Sequence, residues 1–227
     1  MTTTPTEHSP LGLLGGTFDP IHLGHLRLAE EAREALALGA VRLIPAGQPP
    51  HREAPSSSAA DRLAMVRLAT AGNPALEVDD SEVLSSAHSY TVPTLERLRR
   101  ELGAQRPLVL ILGADAFAGL PSWHRWEALF TLAHIAVANR PGHAPHGRRW
   151  PGVLSAALEA ATRTRLCREP ARLAAQPAGL VLPFDMTPLG ISASLIRDLL
   201  AQGSSARYLL PDPVLDYIGL HHLYRRN

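Results

Sequence analysis

The sequence predicts an α/β fold: a Rossmann-like, doubly wound parallel sheet in a three-layer α/β/α arrangement. Short apolar runs alternate with longer segments of helical periodicity, a pattern typical of a parallel sheet that is covered on both faces. The first apolar run ends in two glycines and leads directly into a helical pattern, as a buried strand does when it enters a tight turn. Ligands of such sheets bind beyond the carboxyl ends of the strands, so we expect the functional site there.

Each predicted element follows from its own pattern. The predicted strands are short apolar runs: 11–14, 41–44, 76–78, 108–112, 135–138 and 180–182. The predicted helices carry apolar residues at helical spacing: 24–38, 61–71, 91–101, 153–164, 194–202 and 213–221. Asp61 is predicted to cap the second of these helices. Long loops are predicted at 46–60 and 141–152, and loops of that length often carry function.

The length of 227 residues fits one large domain, although two small domains would also fit. We predict a flexible N-terminal tail over 1–10 and a single domain over 11–227. The 22 basic and 21 acidic residues nearly cancel, which gives no overall electrostatic case for a nucleic-acid or anionic-membrane partner. Cys167 is the only cysteine, so an intrachain disulfide is impossible. The N-terminus lacks a basic region before its apolar run, and we expect a cytoplasmic protein. The sequence leaves the oligomeric state open.

The segment GGTFDPIHLGH, at 15–25, is the most informative part of the chain. It joins a predicted strand to a predicted helix, where backbone amides favour a bound phosphate. His22 and His25 lie three residues apart and should share one face of the helix. Their imidazoles could donate hydrogen bonds to phosphate oxygens, and protonation would strengthen those bonds. The alternatives are a surface or zinc-binding histidine pair and, for Asp19 before Pro20, an ordinary turn.

The segment ISASLIR, at 191–197, gives a second candidate for phosphate binding. Ser192 and Ser194 can cap a helix whose first amides are free to bind an anion. Arg197 follows within that helix, and its planar guanidinium could clamp phosphate oxygens. The alternative is an ordinary capped amphipathic helix with an exposed arginine.

The two segments together resemble the signatures of the bacterial nicotinate-nucleotide adenylyltransferases, within the wider HxGH nucleotidyltransferase superfamily. The TFDPIH form is more specific than HxGH alone, and the resemblance extends from Leu13 to Tyr217 and Ile218. It implies that the adenylyl group of ATP is transferred to nicotinate mononucleotide, giving nicotinate adenine dinucleotide and pyrophosphate for NAD biosynthesis. It also implies Mg²⁺ held mainly by the ATP phosphates, without a metal-binding side chain.

The resemblance assigns roles to matching positions, supported by the segments PPHR at 49–52, SYT at 89–91, GAD at 113–115, LPSW at 120–123 and NRPG at 139–142. The residues implied to be catalytic are His22, His25 and Arg197. The residues implied to bind ATP and its phosphates are Gly15, Gly16, Thr17, Phe18, His51, Arg52, Gly113, Asp115, Ile191, Ser192 and Ser194. The residues implied to bind the mononucleotide are Asp19, Tyr90, Thr91, Trp123, His124 and Arg140.

Several of these positions also have structural interpretations. Trp123 could be a core residue, Asp115 a helix N-cap, and His51 with Arg52 part of a solvated loop. The sequence departs from the family at Ala46-Gly47, where asparagine is frequent, and at His124, where tyrosine is frequent. The 141–152 loop has no clear counterpart.

Three other functions compete with this one. A related transferase could act on phosphopantetheine or a polyol phosphate, although SYT and PSW match a pyridine pocket instead. A nucleotide-binding sensor could keep the fold without turnover, although intact His22, His25 and Arg197 argue against it. A nucleic-acid-binding module is the weakest, because the overall charge balance offers it no support.

The implied reaction needs little acid–base chemistry from the protein. The phosphate of the mononucleotide is the nucleophile, and with a second pKa of about 6 it is already ionised near neutral pH. Positioning and charge stabilisation therefore remain for the protein. Amides around Tyr90-Thr91 and Trp123-His124 are predicted to favour the nicotinate carboxylate over a nicotinamide.

Overall fold

The computed structural model describes residues 9–49, 54–139 and 154–225. Most of the predicted N-terminal tail and the whole of the predicted 141–152 loop lie outside these ranges. His51, Arg52 and Arg140, three residues assigned to the site, also lie outside them.

The described chain contains one parallel sheet of six strands in the order β3-β2-β1-β4-β5-β6. The strands are β1 (Leu11–Gly16), β2 (Ala40–Pro45), β3 (Leu76–Val78), β4 (Leu108–Gly113), β5 (His134–Asn139) and β6 (Val181–Asp185). Each contains or overlaps a predicted apolar run, and the α/β class is confirmed. The central strands are buried along nearly their whole length, which explains why they appear as continuous apolar runs.

Helices flank the sheet, and the six predicted ones are all present. The helices are α1 (Leu23–Ala35), α2 (Ala59–Thr70), α3 (Ser81–Leu84), α4 (Thr91–Leu102), α5 (Ala114–Ala118), α6 (Leu129–Leu132), α7 (Ala156–Thr162), α8 (Ala193–Ala201) and α9 (Asp212–Leu220). Short 3-10 turns at Leu120–Ser122, Trp126–Ala128 and Pro170–Ala175 complete the elements. The short helices α3, α5 and α6 were not predicted, because four or five residues are too few to show a helical period.

Two helix boundaries differ from the prediction for identifiable reasons. The first helix ends before 38, because Ala37 turns into the left-handed region with a φ of 51°. The predicted N-cap at Asp61 is wrong: Ser58 is the cap, and its hydroxyl accepts a hydrogen bond of 3.1 Å from the Asp61 N–H. The Asp61 carboxylate accepts from the Ser58 hydroxyl in return, which is a contact between the two side chains.

The chain divides into two compact units that alternate along the sequence. Of the described residues, the first unit holds 9–14, 30–42, 90–139 and 154–188, and the second holds 15–29, 43–49, 54–89 and 189–225. The chain passes from one unit to the other within β1, β2 and α1. The prediction of a single domain over 11–227 stays a prediction.

Candidate active site

In the second unit, the turn between β1 and α1 is built around Phe18. Its backbone is left-handed, with a φ of 52°, and its side chain is only 2% exposed. The ring packs edge-on against His25, with 5.0 Å between the ring centroids. A Cβ atom on Gly16 would lie 3.0 Å from the Phe18 ring, so a side chain there would press on the ring. A strained residue held by packing in this way is typical of a functional turn.

His22 and His25 stack face to face at the start of α1, which confirms the predicted shared face. Their ring centroids are 3.8 Å apart and the ring planes differ by 23°. The His22 backbone N–H donates to Nδ1 of His25 over 3.4 Å. A Cβ atom on Gly24 would lie 3.0 Å from the His22 ring, so a larger residue between the two histidines would press on that ring.

The protonation state of His25 follows from this environment. Burial, together with the nearby His22, lowers the pKa of His25 from 6.5 to about 3. The ring is therefore neutral near pH 7. Because Nδ1 accepts a hydrogen bond, the proton belongs on Nε2. His25 is thus a neutral N–H donor, and not the imidazolium considered from the sequence.

Helix α8 brings the second signature to the same turn. The Ser192 hydroxyl accepts from the Leu195 N–H at 3.1 Å, which confirms Ser192 as the cap. Ser194 is not a cap: it is the second residue of the helix, and its hydroxyl accepts from Arg197 Nη2 at 3.4 Å. Arg197 Nη1 donates to the backbone carbonyl of Asp19 at 2.7 Å. The guanidinium therefore lies against the turn that carries the histidines.

The carboxylate of Asp19 is buried within the second unit and accepts hydrogen bonds from three donors. The Ser56 N–H donates to one oxygen at 2.7 Å, and the Ser57 hydroxyl donates to the other. The Tyr224 hydroxyl also donates to that second oxygen, at 2.7 Å. These contacts hold the turn in place. The assignment of Asp19 to the mononucleotide stays a prediction.

Arg62 of α2 connects this turn to the loop that follows β2. Its side chain is only 1% exposed, and burial lowers its pKa. The guanidinium donates to the carbonyl of Thr17 at 2.8 Å, to that of Gly47 at 3.0 Å and to that of Ala46. The Ala46 N–H in turn donates to the carbonyl of Gly16 at 2.9 Å. Arg62 therefore fixes the relative positions of two loops on the predicted phosphate side.

Ser89 fixes the same loop from another direction. Its hydroxyl accepts from the N–H groups of Gly47 and Gln48, at 2.9 and 3.2 Å. A Cβ atom on Gly47 would lie 2.0 Å from the carbonyl oxygen of Glu82, so no side chain fits there. The Gly47 departure from the family pattern is thus a packing requirement of this chain.

In the first unit, the predicted pyridine-binding residues lie around the start of α4. Tyr90 is the N-cap residue and Thr91 the first residue of the helix, where the N–H groups have no acceptor within the helix. The rings of Tyr90 and His124 are 4.7 Å apart. Trp123 is half-buried rather than a core residue. Its backbone N–H donates to the Leu120 carbonyl at 2.8 Å. That amide is therefore already engaged.

Asp115 lies near the carboxyl end of β4, also in the first unit. Gly113 ends the strand and serves as the N-cap of α5, so the interpretation of Asp115 as the cap is wrong. Asp115 is the second residue of that helix and is exposed. Its carboxylate is thus available to a ligand on this side of the first unit.

Comparison with known proteins decides the family. The Cytidylyltransferase-like family matches residues 13–199. A protein of Dechloromonas aromatica, named "Probable nicotinate-nucleotide adenylyltransferase", is 58% identical over 96% of this chain and 99% of its own length. A protein of the same name from Hahella chejuensis is 48% identical over 96% of this chain and 97% of its own. The chain belongs to the nicotinate-nucleotide adenylyltransferase family.

A solved structure supports the fold of this nicotinate-nucleotide adenylyltransferase family member. The Plasmodium falciparum nicotinic acid mononucleotide adenylyltransferase complexed with NaAD aligns with a TM-score of 0.70. The alignment covers 96% of this chain and 98% of the other, at 16% sequence identity. At that identity the likeness concerns the fold alone.

The family signatures did not reveal every residue that builds the site in this chain. Arg62 was missed, although its spacing from Met65 and Val66 places it on the buried face of α2. An arginine on an apolar helix face needs buried partners, and that was the available signal. Nothing in the sequence around Ser57 or Tyr224 points to Asp19, since those contacts span 38 and 205 residues.

In the described part of the chain, no helix combines the length and the apolar character that crossing a bilayer requires.

Proposed function

We infer that this protein transfers the adenylyl group of ATP to nicotinate mononucleotide, releasing pyrophosphate and forming nicotinate adenine dinucleotide in NAD biosynthesis. The observation that carries this inference is the second unit's own geometry: a stacked histidine pair and an arginine converge on one turn at the end of a buried strand. The high identity to relatives that carry this enzyme's name agrees with it.

The reaction is an in-line displacement at the α-phosphorus of ATP. A phosphate oxygen of the mononucleotide forms the new P–O bond, and the bond to the β-phosphate bridging oxygen breaks. The nucleophile is ionised near neutral pH, so no general base is needed. The remaining task of the protein is to position both phosphates and to stabilise the charge that develops on pyrophosphate.

His22, His25 and Arg197 take that task in this proposal. A neutral His25 with its proton on Nε2 can donate to a phosphate oxygen without first being charged. Binding an anion beside the ring would raise the His25 pKa again and strengthen the bond. Arg197 is held at the turn by Asp19 and Ser194, and its planar fork suits two phosphate oxygens.

Mg²⁺ enters this proposal with the nucleotide. The Asp19 carboxylate, the acidic group of the turn, is occupied by hydrogen-bond donors, which fits an ion carried by phosphate oxygens and water. When bound, the ion neutralises phosphate charge as pyrophosphate departs. The side chains of the turn then act on the phosphates directly.

The pyridine ring is recognised by the first unit. Trp123, which is half-buried, supplies a surface for stacking. The backbone N–H of Trp123 already donates to Leu120. Recognition of the ring carboxylate therefore falls to the first backbone amides of α4 and to the His124 region. Groups that only donate hydrogen bonds favour a carboxylate over an amide, whose NH₂ would face them as a second donor.

The setting of the reaction follows from the same chemistry. Both substrates are small intracellular nucleotides, and we place the enzyme in the cytoplasm. The near balance of basic and acidic residues suits small-molecule partners rather than a nucleic acid or a membrane surface.

Substrate choice tests the proposed pocket. We expect kcat/KM for nicotinate mononucleotide to exceed that for the nicotinamide form by about tenfold or more. Trp123→Ala should weaken both substrates, since the stack is lost for either ring. Trp126→Ala is a matched control, because Trp126 is a half-buried tryptophan of the same segment that packs on Phe130. Equal kcat/KM values for the two mononucleotides would contradict the predicted selectivity but not the proposed adenylyl transfer.

A further inference from the structure

Tyr224 lies four residues beyond the end of α9, outside both family signatures. Its backbone is left-handed, with a φ of 62°, and its ring is half-buried in the second unit. The hydroxyl lies 2.7 Å from the Asp19 carboxylate and 3.1 Å from the Ser57 hydroxyl. A residue near the C-terminus thus reaches the turn that carries the histidines.

Asp19 is held from two sides. Its carboxylate accepts from Tyr224, while its backbone carbonyl accepts from Arg197 Nη1 at 2.7 Å. A shift of this residue would therefore move the acceptor that orients the guanidinium. Displacements of about 1 Å in a positioned group can cost on the order of a hundredfold in rate.

We propose that Tyr224 is a positioning residue for adenylyl transfer: its hydroxyl fixes Asp19, and the Asp19 carbonyl orients the guanidinium of Arg197. This role rests on the proposed function of Arg197 at the phosphates. It assigns the C-terminal segment a part in the reaction without any contact to the reacting atoms.

The chemistry of the contact between Tyr224 and Asp19 suits a permanent hydrogen bond. Burial raises the pKa of Tyr224, so the phenol keeps its proton and stays a donor at every working pH. A hydroxyl that donates to a carboxylate forms a charge-assisted bond, which is stronger than a neutral one. The Ser56 N–H and the Ser57 hydroxyl remain when the phenol is removed, so the turn should persist but be less tightly held.

The direct test is Tyr224→Phe, which deletes one hydroxyl and keeps the ring. We expect kcat/KM for ATP to fall about tenfold, which is less than the roughly hundredfold loss that a 1 Å displacement can cause. Tyr217→Phe is the matched control: its hydroxyl donates to the Asp61 carboxylate at 2.9 Å in the same unit. That variant should stay within twofold of the parent. Parental kinetics in Tyr224→Phe would overturn the proposal.

A double-mutant cycle separates positioning from a general loss of stability. In an Arg197→Ala background, adding Tyr224→Phe should change kcat/KM by less than twofold, because the group it positions is gone. The same tenfold loss in both backgrounds would mean that Tyr224 acts structurally, and the proposal would be wrong. If Arg197→Ala alone kept parental kinetics, the proposed function of Arg197 would be wrong. The positioning role of Tyr224, which rests on it, would then be wrong as well.

Discussion

At the scale of single residues, the environment of each side chain decides its chemistry more than its type does. His25 could be interpreted from the sequence as a cation that attracts phosphate. The structure stacks its half-buried ring on His22 and lowers its pKa to about 3, so the ring is neutral near pH 7. A neutral His25 does not repel the neighbouring His22 ring by charge, and its Nε2–H is still a directed hydrogen-bond donor.

The depressed pKa of His25 predicts a pH-dependent stability. The group titrates near 6.5 in the unfolded chain and near 3 in the folded one, so only the unfolded chain takes up its proton between those values. The free energy of unfolding should therefore fall as the pH drops below 6.5, by at most about 1.4 kcal/mol per pH unit from this group. Urea denaturation at pH 7 and pH 5 measures the loss.

The control for that prediction is a variant without the group. His25→Gln should lose about 1–2 kcal/mol less than the parent between pH 7 and pH 5. Equal losses in the parent and in His25→Gln would show that His25 is not held neutral by folding.

At the scale of the elements, most of the architecture could be predicted and most of the fixing contacts could not. All six predicted strands are present. Strands buried on both faces, such as β4 and β5, appear as apolar runs, whereas in β3 only Leu76 is buried. The Ser58 cap was missed because Asp61 is also a capping residue type, and only the geometry shows which residue precedes the helix. Arg62 shows the same limit, since its carbonyl partners lie in loops whose shape no local pattern specifies.

Arg62→Lys tests the contribution of α2 to the phosphate-side loops. A single ammonium cannot replace a planar guanidinium that reaches three carbonyls in two loops. Buried carbonyls left without donors should cost about 2 kcal/mol of stability, and KM for ATP should rise about tenfold as the loops loosen. Chemical denaturation and initial-rate kinetics give both numbers.

Arg67→Lys is the matched control on the same helix. Arg67 is largely exposed, with 58% of its side chain accessible, and pairs with Asp80 at the surface. Its replacement should change stability by no more than about 0.5 kcal/mol. If Arg62→Lys were as mild as Arg67→Lys, Arg62 would not hold the loops.

At the scale of the whole molecule, the two signatures predicted the family, and the structure shows what supports them. Both signatures fall in the second unit, where Asp19 and Arg197 join them directly. The residues predicted for the pyridine ring fall in the first unit. Contacts to Asp19 from Ser57 and Tyr224 link segments far apart in sequence, so they follow from the complete fold and not from any motif.

The central claim is transfer of an intact adenylyl group, and the fate of labelled ATP tests it most directly. The protein is incubated with nicotinate mononucleotide and Mg²⁺, with ATP labelled either at the α-phosphorus or at the γ-phosphorus. We predict that the α label appears in nicotinate adenine dinucleotide and the γ label in pyrophosphate, in equal amounts. Label that stays in ATP, or leaves as inorganic phosphate without dinucleotide, would contradict adenylyl transfer and favour a nucleotide-binding sensor or an ATPase.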